Sequence, residues 1–276
     1  MSLAPLADTI AQCYDSVAPT YDQSENAALA QKLIWQTYEH LTWKPVEALL
    51  PPDRSLRILD AGGGGGKFSA RFAALGHAVT VLDLSPGMVE LARQKLEAEG
   101  LATLASFVVG NVLALPFPDA SFDLVFCEGD PVSYCLEQYP RAMAELVRVA
   151  RPGAPVILGV DSRYDHLVLG ALQAEDKTGA LALMNSGRST CPYGLPVHTF
   201  TFEELHAGMH QAGAVVDEIF GKPVLFWETV QALNAAHGPE YRVSLHLEEL
   251  LALQEKLSRS LGMLGSHYQV MAHRRP

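Results

Sequence analysis

The stretch Leu56–Phe68, LRILDAGGGGGKF, joins a short apolar run to a helical pattern through five consecutive glycines. Leu56, Ile58 and Leu59 form the run, which ends at Asp60, and Lys67–Leu75 (KFSARFAAL) places Phe68, Phe72 and Leu75 on one helical face. The reading is strand, glycine turn, helix. Glycines at such a junction allow positive φ and close approach of the backbone to a ligand, which the free N–H groups of the helix's first turn then face. Spacing disfavours two nucleotide-binding fingerprints. A P-loop needs Gly six residues before its Lys and Ser or Thr after it, and Ala61 and Phe68 stand at those places. The dinucleotide pattern GxGxxG meets Lys67 when started at Gly62 and Phe68 when started at Gly63, where a pyrophosphate needs Gly or Ala.

A second β-rich run, His77–Asp83 (HAVTVLD), follows Gly76, the expected stop of the first helix. Asp83 lies about 20 residues beyond the glycines, where a carboxylate at a strand end can accept from both ribose hydroxyls of a nucleoside. Ser85 and Pro86 already supply the N-cap and first residue of the next helix, so Asp83 is not needed there.

Composition bounds the rest. With 276 residues, 49% hydrophobic and 18% charged, the chain reads as one folded α/β unit rather than a disordered one. No apolar run approaches the roughly 20 residues of a membrane helix, and the N-terminus MSLAPLADTIAQ shows no secretory pattern, so a cytoplasmic protein is expected. A net charge of −11 argues against nucleic acid held through its phosphates. Cys13, Cys127, Cys135 and Cys191 lack metal-type spacing, so reduced thiols and no metal are expected.

Asp60, Gly62, Gly64 and Gly66 spell D-x-G-x-G-x-G, which resembles motif I of the class I S-adenosylmethionine-dependent methyltransferases. Further segments resemble the same family in the same order. Tyr14-Asp15 and Tyr21-Asp22 are similar to the segment that covers the cofactor, with packing of the tyrosines as the alternative. Leu84, Ser85 and Met88 match positions beside the adenine ring. Asn111-Val112 and the loop LALPFPDASF resemble "GDAxxLPFPDxSFD", with Asn111 in place of the Asp that accepts from the adenine amino group. An Asn carbonyl can accept that bond if neighbours fix its amide. Phe122–Cys127 is expected as the fourth strand, and Glu128–Pro131 opens at the carboxyl edge of the sheet, where substrate and methionyl moiety should meet. RAMAELVRVARPGAPVILGV then resembles the family's helix, turn and fifth strand. Thr201–Glu204 is a capping box before a helix and the sixth strand AVVDEIF, and Ser266–Ala272 is the seventh, antiparallel by analogy.

The resemblance, closest to small-molecule enzymes of the ubiquinone/menaquinone-biosynthesis type, implies a Rossmann-like α/β fold with a seven-stranded, mostly parallel sheet. The expected layout is an N-terminal helical segment (1–55), the cofactor-binding core (56–160), and helical lid insertions with strands six and seven (161–276). It implies S-adenosylmethionine as cofactor and a small, mostly apolar acceptor methylated by in-line displacement, with Asp130, Tyr134, His166 and His198 as candidates for any proton transfer. A structural role for each histidine stays open, as does pairing of chains. An NAD-type oxidoreductase and a non-catalytic S-adenosylmethionine-binding module are the alternatives. The apolar residues of the insertions, Leu167, Leu169, Leu172 and Leu183, then Leu225, Phe226, Trp227, Leu233 and Tyr241, are expected to face a pocket.

Overall fold

The computed structural model describes residues 3–21, 29–168, 177–225 and 247–276. Seven strands form one sheet: β1 (Arg57–Ala61), β2 (Ala78–Asp83), β3 (Ala105–Val109), β4 (Leu124–Cys127), β5 (Pro155–Asp161), β8 (Ala214–Val224) and β9 (Gly265–Arg274). Their order is β3-β2-β1-β4-β5-β9-β8, and β6 (Arg188–Thr190) pairs with β7 (Pro196–His198) separately. The first five are parallel to one another; β9 runs antiparallel to both β5 and β8. The chain order reverses between β1 and β4, which opens a crevice at the carboxyl ends of those strands.

Central strands are buried on both faces, which requires near-continuous apolar runs. Period-two alternation sends Leu59, Val125, Val156 and Leu158 to one side, against α5 (Tyr139–Val149) and α8 (Phe202–Gln211). It sends Ile58, Val79, Val81, Leu124, Phe126 and Ile157 to the other, against α3 (Lys67–Ala74) and α4 (Pro86–Ala98). Phe72 of α3 is fully buried, 5.5 Å from the Phe126 ring and 5.1 Å from Trp43 of α2 (Leu29–Glu47).

Local sequence explains the helix starts. Ser85 caps α4 by accepting from the Met88 N–H at 3.0 Å. The expected capping box is present: Thr201 Oγ1 accepts from the Glu204 N–H at 3.3 Å and Glu204 Oε2 from the Thr201 N–H at 3.0 Å. Arg148 does more than pair with Glu145, since its guanidinium also donates to the carbonyls of Phe117 and Leu115 and so clamps the loop before β4.

Several expectations shift. The third strand covers 105–109, and the fourth begins at Leu124 rather than Phe122, which makes only an isolated bridge to Ala150. Pro45 sits in the last turn of α2, where a missing N–H costs a single backbone bond. The insertion after β5 is not purely helical. Besides α6 (Arg163–His166) and α7 (Lys177–Ser186) it contains the β6–β7 hairpin, closed by Pro192-Tyr193-Gly194 with Gly194 at φ 76. The hairpin packs on α1 (Leu3–Val17) through Leu6 and Ile10 against Cys191, Leu195 and Val197. In the second insertion β8 runs on to Val224 and α9 (Leu247–Ser260) packs on it, with Gln254 accepting from the Val224 N–H and donating to its carbonyl. Among the described residues no helix is long and apolar enough to cross a membrane.

The caps and core predict separable stability losses. Thr201→Ala should lower unfolding free energy by about 1 kcal/mol, and Phe72→Ala by about 3–5 kcal/mol, measured by urea denaturation; equal losses would contradict this packing.

Candidate functional site

A cavity of about 980 Å³ lies at the carboxyl edge, walled by α1, the β1 turn, the ends of β2, β4 and β5, and the β6–β7 hairpin. Its floor is the glycine run. Gly62, Gly64 and Gly66 all have positive φ, but only Gly64 faces open space: a Cβ on Gly62 would strike Pro131 at 2.1 Å and one on Gly66 would reach Ala92 at 2.9 Å. Over Gly64 the nearest atoms belong to the Tyr21 ring at 3.8 Å.

The run is oriented by two acids. Asp60 is 2% exposed and accepts from Ser69 Oγ at 2.5 Å. Burial pushes its carboxyl up to about 7 against the Ser69 hydrogen bond, with Asp83 and Glu128 adding like charge. Asp83 accepts from the N–H of Gly64 at 3.0 Å and of Ser85 at 2.9 Å, one on each oxygen, so each oxygen keeps a lone pair. Burial raises its carboxyl too, outweighing those two bonds.

Asn111, Val112 and Leu84 line the same half of the cavity. Asn111 Oδ1 accepts from the Leu113 N–H at 2.9 Å, so a neighbour does fix the amide and one lone pair remains. Met88 is 1% exposed and does not line the cavity; as part of the α4 core it supports the wall from behind. Gly66 likewise serves as the N-cap of α3 rather than as lining.

Glu128 is 5% exposed and immediately follows β4. Its Oε1 accepts from the Tyr38 hydroxyl and lies 2.9 Å from Lys222 Nζ, while its Oε2 has no partner although buried. Gly159 makes room for it, since a Cβ there would meet Oε1 at 2.3 Å. Lys222 has no exposed surface; it donates to Thr42 and Gln269 at 2.6 Å each and lies 4.6 Å from the Tyr38 ring centroid. Burial lowers its ammonium's pKa, an effect that Glu128 opposes.

Opposite the glycines the strand ends gather Asp130, Asp161, His166 and His267. His267 Nε2 lies 3.3 Å from Asp130 Oδ2 and 3.8 Å from Asp161 Oδ1, and His166 Nε2 lies 3.3 Å from Asp161 Oδ1. His166 Nδ1 is 2.7 Å from Ser189 Oγ. The ligand atoms of Asp130, Asp161 and His267 all fall within 4.8 Å of one another. Burial raises the Asp161 carboxyl, and so does Asp130. Burial alone would lower His267, but Asp130, then Asp161 and Asp165, carry it up to about 9. Asp130 itself sits at φ 71, with Oδ1 buried and unpartnered.

Of the four residues proposed for proton transfer, three reach the cavity. Tyr134 Oη lies 2.8 Å from Tyr14 Oη, and burial pushes both phenols well above their ordinary range. His198 does not reach it: it stacks on Tyr139 at 4.8 Å and is enclosed near Glu204 and Arg163, with Nε2 lacking a hydrogen bond. Of the insertion residues expected to face a pocket, Leu183 is buried outside the cavity, Leu167 is half-buried and outside it, and Leu225 is exposed. Leu169, Leu172, Phe226, Trp227, Leu233 and Tyr241 lie outside the described residues, as does Asp22. The apolar wall comes instead from Leu6 and Ile10 of α1.

Sequence reasoning missed Tyr38, Asp161, Lys222 and His267. Asp161 carries the signal already used for Asp60 and Asp83, a carboxylate closing an apolar strand. A lone lysine inside the strand Ala214–Val224 marks Lys222. Nothing local distinguishes Tyr38 or His267.

Comparison with known proteins finds a match between residues 58–153 and a family described as a methyltransferase domain. A malonyl-[acyl-carrier protein] O-methyltransferase of Erwinia pyrifoliae is 43% identical over 106 residues, 38% of this chain and 37% of that protein. A ubiquinone/menaquinone biosynthesis C-methyltransferase of Ruegeria sp. is 34% identical over 152 residues, 52% of this chain and 56% of that one. Each match thus spans less than two thirds of the relative. Among solved structures, the [4+2]-cyclase SpnF superposes with TM-score 0.62 at 19% identity, covering 96% of this chain and 95% of its own. A methyltransferase from Methanosarcina mazei gives 0.59 at 22%, covering 84% and 97%. At such identities these two establish the fold.

Asp60 makes the site sensitive to pH in a defined direction. Its folded value lies above the ordinary carboxylate value, so its contribution to stability is present below about pH 4 and is lost as pH rises through about 7. Relative to Asp60→Asn, which cannot ionise, the wild type should lose roughly 1–3 kcal/mol between pH 4.5 and 7.5 in urea titrations. A pH-independent difference would place Asp60 in water.

Proposed function

We propose, on the premise that residues 58–153 are a methyltransferase domain of the class I S-adenosylmethionine-dependent kind, that this chain transfers a methyl group from S-adenosylmethionine to a small molecule. The observation that carries the reading is the pairing of Asp83 with Gly64. The carboxylate is held by two backbone donors at the end of β2, beside Gly64, where a Cβ would meet nothing nearer than the Tyr21 ring.

The residues present fit the cofactor. Asp83 keeps a lone pair on each oxygen for the ribose hydroxyls, and Asn111 keeps one for the adenine amino group, with Leu84 and Val112 beside the ring. Glu128 Oε2, buried without a partner, would accept from the methionyl ammonium, and Tyr21 would cover it from the α1 side. Asp60 holds the turn through Ser69, with Gly62, Gly66 and Met88 acting through packing. In this reading residues 56–160 form the cofactor-binding core, and residues 1–55 and 161–276 add the walls.

The bound cofactor supplies an electrophilic methyl group on a positively charged sulfur. The chain's part is to align an acceptor in line with that carbon and to exclude water. α1 and the segment that follows β4 close the cavity through Tyr14 and Tyr134, whose phenols stay protonated and so hold position rather than take protons. A proton leaving the acceptor goes to Asp130 Oδ1, which no donor of the described residues engages. His198 has no part in that step, since it lies behind Tyr139. The shared fold of a [4+2]-cyclase keeps a binding-only role as the second reading, because a fold by itself does not fix the chemistry.

S-Adenosylhomocysteine should raise the melting temperature, since a ligand bound only by the folded state stabilises it by mass action. NADH should not. Asp83→Ala should weaken S-adenosylhomocysteine binding by about 1.5–3 kcal/mol, roughly ten- to a hundredfold, in a calorimetric titration. Unchanged affinity would remove Asp83 from the site and the reading with it.

A further inference from the structure

The part of the cavity not needed for the cofactor combines two surfaces of different chemistry. One is aromatic and apolar: Tyr14 meets Tyr134 and Tyr193 edge-on at 6.0 and 5.8 Å between ring centroids, beside Leu6 and Ile10. The other is acidic: Asp130, Asp161 and Asp165, all lining the cavity. Their charge is not cancelled. With His166 and His267 both counted as imidazolium, three carboxylates still leave net negative charge. Among the described residues lining the cavity, Lys67 is the single lysine or arginine, and it is bound to Glu39 at 2.7 Å. Lys222 is committed to Glu128, behind the wall.

One of these carboxylates is incompletely partnered: Asp161, 7% exposed, lies beside both histidines, but Asp130, with its side chain 17% exposed, leaves Oδ1 buried and unpartnered. Carboxylates removed from water call for a cation or a donor. Aromatic rings beside them favour a cation too, because an alkylammonium is attracted to their faces.

We propose that the methyl acceptor is an amine carried on an apolar or aromatic body, its nitrogen seated against Asp130 and Asp161 and its body against Tyr14, Tyr134 and Tyr193. This rests on the methyl-transfer reading. The ammonium binds first and gives one proton to Asp130 Oδ1. The freed nitrogen lone pair attacks the methyl carbon as the carbon–sulfur bond breaks, its electrons remaining on sulfur. The positive charge passes from sulfur to the methylated nitrogen, and S-adenosylhomocysteine leaves neutral. An acceptor that is itself a carboxylate would meet like charge at this floor.

Protein saturated with S-adenosylhomocysteine is titrated with 2-phenylethylamine and, separately, with 2-phenylethanol, which has nearly the same shape without the charge. The amine should bind about tenfold tighter or more, with the difference shrinking at high salt. Asp161→Asn and Asp130→Asn should each weaken the amine about tenfold while leaving the alcohol, and the melting shift given by S-adenosylhomocysteine, unchanged. If either variant does not fold, the amine-to-alcohol ratio in the wild type still decides. Equal binding, tighter alcohol binding, or no binding of either while S-adenosylhomocysteine still raises the melting temperature would overturn the amine assignment alone. Micromolar binding of Mn²⁺ with no response to the amine would overturn it in favour of a metal on Asp130, Asp161 and His267. Loss of the S-adenosylhomocysteine shift itself would instead strike the methyl-transfer reading.

Discussion

The ion pair between Lys222 and Glu128 ties the far side of the sheet to the cavity. Lys222 stands on β8, three strands from β4, and its ammonium crosses beneath α2 to reach Glu128 Oε1 at 2.9 Å. A buried pair of this kind is costly to desolvate, and further hydrogen bonds offset that cost. Thr42 and Gln269 complete the ammonium, and the Tyr38 hydroxyl and ring lie against both charges. α2, β4, β8 and β9 therefore have to arrive together. A glycine at position 159 of β5 leaves the space in which the carboxylate lies.

The same edge carries a second constraint, set by parallel strands. Because β1, β2, β4 and β5 run the same way, residues that end them stand in one row, and Asp60, Asp83, Glu128 and Asp161 all hold such positions. Burial, first, shifts Asp60, Asp83 and Asp161 toward their protonated forms, and like charge adds to it, from Asp83 and Glu128 on Asp60, from Asp15 on Asp83 and from Asp130 on Asp161. Each is met differently. Ser69 serves Asp60, backbone N–H groups serve Asp83, Lys222 serves Glu128, and the two histidines serve Asp161. The cavity is consequently a place where cations are stabilised, which suits both a sulfonium cofactor and the proposed amine.

What closes the cavity is the N-terminal helix held by the first insertion. α1 packs on the β6–β7 hairpin, and Asp15 accepts from Ser85 Oγ at 2.5 Å and from the Gly87 N–H at 2.8 Å, fastening α1 to the start of α4. That contact gives the Tyr14-Asp15 pair a physical role: the tyrosine faces the cavity while the aspartate anchors the helix that carries it.

The glycine turn, the five parallel strands with their helices, and the strand-end positions of Asp60, Asp83 and Glu128 were legible in the sequence because each depends on a local rule; Asn111 came only from the resemblance of its loop. Apolar period, a turn that requires positive φ, and a carboxylate at a strand end all lie within one stretch of chain. The capping box at Thr201 was equally local. The hairpin inside the first insertion was missed because its strands have three residues each, too short for a period to register. His198 could not be separated from His166 by sequence: only packing turns one toward Asp161 and the other behind Tyr139. The Lys222–Glu128 pair joins residues 94 positions apart, and the His267–Asp130 contact residues 137 apart. Chain-local patterns determine where a strand ends and what it presents; which distant charge comes to meet it is decided only when β8 and β9 fold back onto β5, because burial and Coulomb energy depend on distance in space.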